Sequence, residues 1–255
     1  VRGLDALRLS RASQDRTYRG PTEFDVDREQ AREVLNEAER RNTSRLGVEA
    51  MDLLSAYGIP TPAGEIVDSP GDAEAAAERL ADGEGVVMKI VSPDILHKSD
   101  IGGVEVGVQP SDVADTYEDL VVRARNYQSD AKILGVQVQE MLDMDGATET
   151  IAGMNRDPQF GPLMLFGLGG IFVEVLEDTT VRVAPVSEPE AQDMIDDIES
   201  SPLLRGARGS EAVDEAGIVE TIQRLSQLVT DFPAILELDI NPLVATPDGV
   251  SAVDV

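Results

Sequence analysis

Val86-Val87-Met88-Lys89-Ile90-Val91, Ser92-Pro93-Asp94-Ile95-Leu96-His97-Lys98-Ser99-Asp100-Ile101-Gly102-Gly103 and Val104-Glu105-Val106-Gly107-Val108 form one continuous stretch. Two β-branched apolar runs flank a polar segment that opens on Ser-Pro and closes on Gly-Gly, so the stretch reads as strand, long turn, strand. It also gathers the scarcest side chains of the chain. Lys89 and Lys98 are two of only three lysines, the third being Lys132, and His97 is the only histidine. A Gly-Gly pair permits backbone N–H groups to close on an anion as a nest, lysine adds a point charge, and imidazole can carry a phosphoryl group near neutral pH. The pattern therefore suits phosphate. The competing reading is a surface hairpin with an incidental histidine, and spacing alone leaves both open.

The length of 255 residues allows a sizeable core divided into two lobes. The absence of cysteine excludes a disulfide framework, a zinc ribbon and a thiol nucleophile, and fits a reducing compartment. No stretch reaches the roughly 18 to 20 apolar residues of a membrane span, and the opening residues lack a signal-peptide pattern, so the expected location is cytoplasmic. A formal net charge of −28 makes nucleic acid and anionic membranes poor partners. Acid is spread through every segment while 42% of residues are hydrophobic, the balance of a folded protein adapted to a salt-rich, halophilic interior where self-repulsion is screened.

Residues 1–27 are Arg-rich and read as a linker or the tail of an upstream domain. Helices are expected over 28–42 and 47–57, a strand over 64–68, and a helix from the capping sequence Ser69-Pro70-Gly71-Asp72 to Leu80. After the opening stretch come a helix over 110–127 and a strand over 132–142. Further strands are expected over 147–154, 163–168, 171–175 and 181–186, helices over 188–198 and 211–230, and closing strands over 234–243 and 250–255. The smaller lobe is placed at about 61–138 and the larger at 28–58 plus 139–255. Gly167-Leu168-Gly169-Gly170 leads from strand to strand, so it is no dinucleotide fingerprint, and no P-loop is present.

Alternation along Leu236 to Ile240 places Glu237, Asp239 and Asn241 on one face, and Asp254 on the next strand is close enough to join them. Hard oxygens of this kind suit Mg²⁺, which completes its shell from water and nucleotide phosphate. A polar hairpin edge is the alternative.

The opening stretch, Gln139-Glu140-Met141, the run Glu149 to Pro162, Phe166 to Gly170 and Glu237 to Leu243 occur together and in this order. Jointly they resemble the ATP-grasp β subunit or domain of ADP-forming acetyl-CoA synthetases, in the superfamily of succinyl-CoA synthetase. The resemblance implies an α/β (α+β) ATP-grasp fold with a nucleotide cleft between two lobes, and an acid-thiol ligase that converts acetyl-CoA, ADP and phosphate to acetate, CoA and ATP. It implies that Lys89, Leu96, Lys98, Gly102 and Gly103 hold nucleotide phosphate, that Glu140, Met141 and Glu149 border the nucleotide, and that Asn241, Asp254 and Asp239 bind Mg²⁺. It further implies that His97 relays phosphate to a second histidine on an α subunit or fused α domain that also binds CoA. Alternatives are a succinyl-CoA or other acyl-CoA synthetase β chain, and a regulatory module in a protein acetyltransferase fusion.

Overall fold

The computed structural model describes residues 20–41, 45–47, 49–81, 83–95, 98–169 and 178–207, and 211–255. Strands β1 (Gly64–Val67), β2 (Val86–Val91), β3 (Val104–Val108) and β4 (Gly135–Glu140) build an antiparallel sheet in the order β1-β4-β2-β3. One face is apolar because alternate residues point there: Val86, Met88 and Ile90 of β2 and Val136 and Val138 of β4 are fully buried. Helices α3 (Pro70–Leu80) and α4 (Val113–Tyr127) cover that face, with Ala73, Ala76, Ala77, Leu120 and Ala124 in the same core. Helix α3 starts as its sequence demands, Ser69 accepting a hydrogen bond from the Asp72 N–H and Pro70 occupying the first turn. Alternation leaves Val87, Lys89, Gln137 and Gln139 on the uncovered face.

A second sheet, all antiparallel, has the order β7-β6-β5-β8-β9, formed by β5 (Thr148–Asp157), β6 (Gly161–Leu168), β7 (Thr179–Val183), β8 (Glu237–Thr246) and β9 (Gly249–Ala252). Helices α1 (Arg28–Arg40), α2 (Glu49–Ala56), α5 (Glu188–Asp197), the short α6 (Ser201–Leu204) and α7 (Glu215–Asp231) contribute to a larger core on one side of it. Ile218, Ile222, Leu225 and Val229 form the buried stripe of α7 at helical spacing. They share that core with Met154, Met164 and Phe166 of the sheet, Leu53 and Leu54 of α2 and Tyr57 just after it. The Tyr57 hydroxyl donates to Asp231 at 2.8 Å, tying α2 to the end of α7.

Several boundaries differ from the sequence reading for local reasons. Helix α7 begins at Glu215 rather than 211, because Asp214 caps it by accepting the Gly217 N–H. The segment 132–134 lies outside β4; the Lys132 N–H donates to the Asp94 carboxylate instead. Strand β5 runs on to Asp157, and β7 ends at Val183, before a cis Ala184-Pro185 bond. The expected strand at 171–175 and the segment 1–19 lie outside the described residues. Among the described residues no helix is long and apolar enough to cross a membrane.

Phe166 is fully buried between the sheet and α7, so Phe166→Ala is expected to cost about 3–5 kcal/mol of unfolding free energy in urea melts. Val106→Ala, at a side chain 65% exposed, should change it by less than about 0.5 kcal/mol.

Candidate functional site

The two sheets meet where the uncovered face of β2 faces the end of β9. Lys89 is only 6% exposed, and its Nζ donates to the Val253 carbonyl at 2.9 Å. Burial holds its ammonium below the usual lysine range; Asp254 opposes that shift and Lys98 adds to it. Lys98, beyond the turn, places Nζ 3.3 Å from Asp254 Oδ1. Asp254 Oδ1 also accepts the Val255 N–H, and the Asp254 carbonyl accepts the Asn241 N–H at 3.1 Å. Lys89 and Lys98 are thus joined to a backbone carbonyl and a carboxylate at the end of the second sheet.

The face of the second sheet opposite its helices carries the remaining acids. Ala152 pairs with Ile240 and Thr150 with Leu243, so Asn241 and Pro242 together oppose Ile151 in a β-bulge. Before the bulge Glu237, Asp239 and Asn241 are exposed while Leu238 and Ile240 are buried; after it the buried core residues are Leu243 and Ala245. Glu149 pairs with Val244 across β5 and shares the open face. Asp239 lies opposite Gly153, where a Cβ would sit 2.9 Å from the Leu238 carbonyl and 3.2 Å from Asp239 Oδ1, so only glycine leaves the carboxylate its place. Burial, and then the neighbouring Glu237 charge, push the Asp239 carboxyl above its usual range.

The Gly102-Gly103 pair does not form the anticipated open nest. The Gly102 N–H donates to the Ser99 carbonyl at 3.1 Å and the Gly103 N–H to the Lys98 carbonyl at 2.7 Å, so both amides are spent closing the loop. A Cβ at Gly103 would lie 2.8 Å from both Ile90 Cγ2 and the Lys98 carbonyl, which explains the glycine by packing. The Glu140 carboxylate accepts the Ala63 N–H at 2.8 Å while the Glu140 N–H donates to the Ala63 carbonyl, a reciprocal clamp at the base of β1. Met141 follows at the end of β4, and its sulfur would lie 4.0 Å from a Cβ at Gly107. Leu96 and His97 lie outside the described residues.

Gln139 was not singled out by the sequence reading. It is 1% exposed, occupies the face of β4 that carries Gln137 opposite Lys89, and neither its amide nitrogen nor its oxygen has a partner. A buried amide with both ends open is a place for a polar ligand edge or water. The sequence did contain the signal: in Gly135-Val-Gln-Val-Gln-Glu140 the valines take the core side and send both glutamines to the face of Lys89.

Among the described residues no group of three or more His, Asp or Glu side chains is arranged to cage a metal. The donor set of Asp254, Asn241 and Asp239 nevertheless suits magnesium bound together with phosphate, since that ion takes one or two carboxylates and completes its shell from substrate and water.

Residues 36–255 match the family model of the ATP-grasp domain. The chain is 41% identical over 225 residues to the β subunit of ADP-forming acetate–CoA ligase I of Pyrococcus furiosus, covering 88% of this chain and 95% of that one. It is 37% identical over its full length to the ADP-forming acetate–CoA ligase I of Archaeoglobus fulgidus, of which it spans 37%. A solved acetyl-coenzyme A synthetase 1 of Ca. Korarchaeum cryptofilum, in complex with coenzyme A and Ca-AMPCP, superposes with a TM-score of 0.84 at 37% identity, covering 88% of this chain and 97% of that one. A second structure of that enzyme, with Mg-AMPPCP and a phosphohistidine segment pointing towards the nucleotide binding site, gives 0.76 at 35% identity over the same shares.

The depressed Lys89 ammonium sets a pH dependence of stability. Below the folded pKa both states are protonated and the burial penalty is fully present; between that value and 10.5 the native state sheds the proton first, so stability rises with pH. Lys89→Met is expected to abolish this rise and to melt no lower than the parent at pH 7, measured by urea unfolding across the alkaline range.

Proposed function

The chain belongs to the ATP-grasp domain family, among the β parts of ADP-forming acetate–CoA ligases, and we propose that it supplies the nucleotide half of such an acid-thiol ligase. The overall reaction is acetyl-CoA, ADP and phosphate to acetate, CoA and ATP, with ADP seated between the two sheets. The observation that carries this reading is the meeting of Lys89 and Lys98 with Val253 and Asp254 across the two sheets, where the Asp254 carbonyl accepts the Asn241 N–H. Cations on one wall and oxygen ligands on the other are what a polyphosphate with its magnesium ion requires.

In this reading Lys89 and Lys98 give up their contacts with Val253 and Asp254 to hold phosphate oxygens, and Gln139 offers its open amide to the base. Magnesium, held by Asp254 and Asn241 with Asp239 beside them, would offset the negative charge of the phosphates when bound. His97 is the relay: the phosphorus–nitrogen bond of its phosphorylated ring breaks as the terminal oxygen of ADP bonds to phosphorus, and the imidazole leaves neutral. Support for its place is covalent. Residue 97 is one peptide, about 3.8 Å between Cα atoms, from Lys98, which reaches Asp254. The second histidine and the CoA site belong to an α subunit or domain, consistent with the β-subunit name of the relatives. The surplus of acid is read as adaptation to high salt, with self-repulsion screened within about 3 Å at 1 M ionic strength.

With the α part present, His97→Ala is expected to abolish ATP formation from acetyl-CoA while nucleotide binding by calorimetry stays within about twofold; sustained turnover would refute the relay. Asp254→Asn should weaken Mg-nucleotide binding by about tenfold in the same titration. Melting temperature should climb as KCl rises from tens of millimolar to molar, and a flat response would remove the salt-adaptation reading.

A further inference from the structure

From Lys98 the chain makes a single 3₁₀ turn, Ser99–Ile101, which begins with no side-chain cap and ends at Gly102 in the left-handed region, at φ 63°. So short a turn, with the poorer hydrogen-bond geometry of its class, does not hold its own shape well. Two contacts from outside hold it. The Gly103 carbonyl accepts the Ile90 N–H at 2.8 Å, one residue past Lys89 on β2. The Gly102 carbonyl accepts Nη1 of Arg123, from the last part of α4, at 2.8 Å.

The peptide group that links Gly102 to Gly103 is therefore engaged at both ends. Its oxygen takes a guanidinium proton, and its N–H donates to the Lys98 carbonyl at 2.7 Å. A cationic donor polarises the amide it binds and strengthens the bond made by that amide's own N–H. Two hydrogen bonds in line thus run from Arg123 to the backbone of Lys98, whose Nζ stands 3.3 Å from Asp254 Oδ1. Arg123 is itself aimed. The same Nη1 lies 2.5 Å from Glu105 Oε1 on β3, and Leu120 and Ala124, either side of it along α4, are fully buried in the first core. Gly102 leaves room for the approach: a Cβ there would lie 3.4 Å from Nη1 and 3.6 Å from Cδ of Arg123. The ion pair with Glu105 is 39% exposed on each side, so it adds little stability by itself and does not account for the arginine.

Resting on the nucleotide reading above, we propose that Arg123 is a positioning residue for Lys98, fixing through the Gly102–Gly103 peptide the backbone from which that lysine reaches the phosphate oxygens. Lysine carries its charge on a flexible four-carbon stem, so the head is placed only as well as the backbone beneath it. A misplacement of about 1 Å in such a group can cost roughly a hundredfold. The guanidinium stands on the helical side of the first sheet's loop and acts on the ligand at one remove, from a helix that packing holds rigid.

The test is a double-mutant cycle on Mg-ADP binding to the full chain, read by calorimetry. Arg123→Gln is expected to weaken binding about fivefold in the parent but less than about 1.5-fold in a Lys98→Met background, where the residue it acts through is gone. Arg123→Lys, which keeps a donor for the Gly102 carbonyl, should fall between parent and Arg123→Gln. Without nucleotide, the Gly103 amide should exchange with solvent about tenfold faster in Arg123→Gln while the β4 amides keep their parent rates, which also establishes that the variant is folded. An equal loss of affinity in both backgrounds, or a Gly103 amide that exchanges as in the parent, overturns this proposal and leaves the nucleotide reading standing. A Lys98→Met chain that binds Mg-ADP as tightly as the parent overturns that reading and this inference together.

Discussion

The structure turns on one junction, the contact of two lysines from the first sheet with the last residues of the second. Lys89 is buried at a net cost in solvation, and its ammonium is met by a backbone carbonyl and a nearby carboxylate rather than by a full ion pair. A compact cation kept in that position is poorly explained by stability. It is well explained by a ligand that brings its own negative charge. The half-buried, single-contact Lys98–Asp254 pair contributes little energy by itself but fixes which parts of the two sheets lie together.

Each sheet keeps that junction in place by the same device, an apolar face turned to helices and a polar face turned to the cleft. In the first sheet the helical side takes every other residue of β2 and β4, which leaves Lys89, Gln137 and Gln139 adjacent on the other side. In the second, the bulge at Asn241-Pro242 resets the alternation so that both halves of β8 bury their apolar residues. Without it, the strand would have to bury either Asn241 and Asp239 or lose Leu243 and Ala245 from the core. The register shift therefore serves both packing and the presentation of oxygen ligands.

The acidic surface is distributed rather than concentrated at the site, which is why charge by itself says little about function. Glu237, Asp239 and Asn241 acquire meaning from a shared face. The same carboxylate density elsewhere forms ordinary surface pairs such as Arg40 with Glu37 and Arg41 with Glu49.

The sequence by itself determined most elements and the shared face of Glu237, Asp239 and Asn241. The β-branched apolar run Val86–Val91, period-two alternation along Leu236–Ile240, a helix read over 211–230 and turn chemistry at Asp248-Gly249 are local properties, readable without coordinates. The resemblance of several short blocks in a fixed order supplied the family, which no single motif could. Tertiary structure alone decided what the loop amides do and what touches what. The Gly102-Gly103 amides close their own turn, Glu140 clamps Ala63, and Gln139 is left with an unanswered amide, because hydrogen-bond partners are chosen among groups distant in sequence. Lys89 and Val253 are 164 positions apart, and their meeting follows from how two separately built sheets pack, which local pattern does not encode.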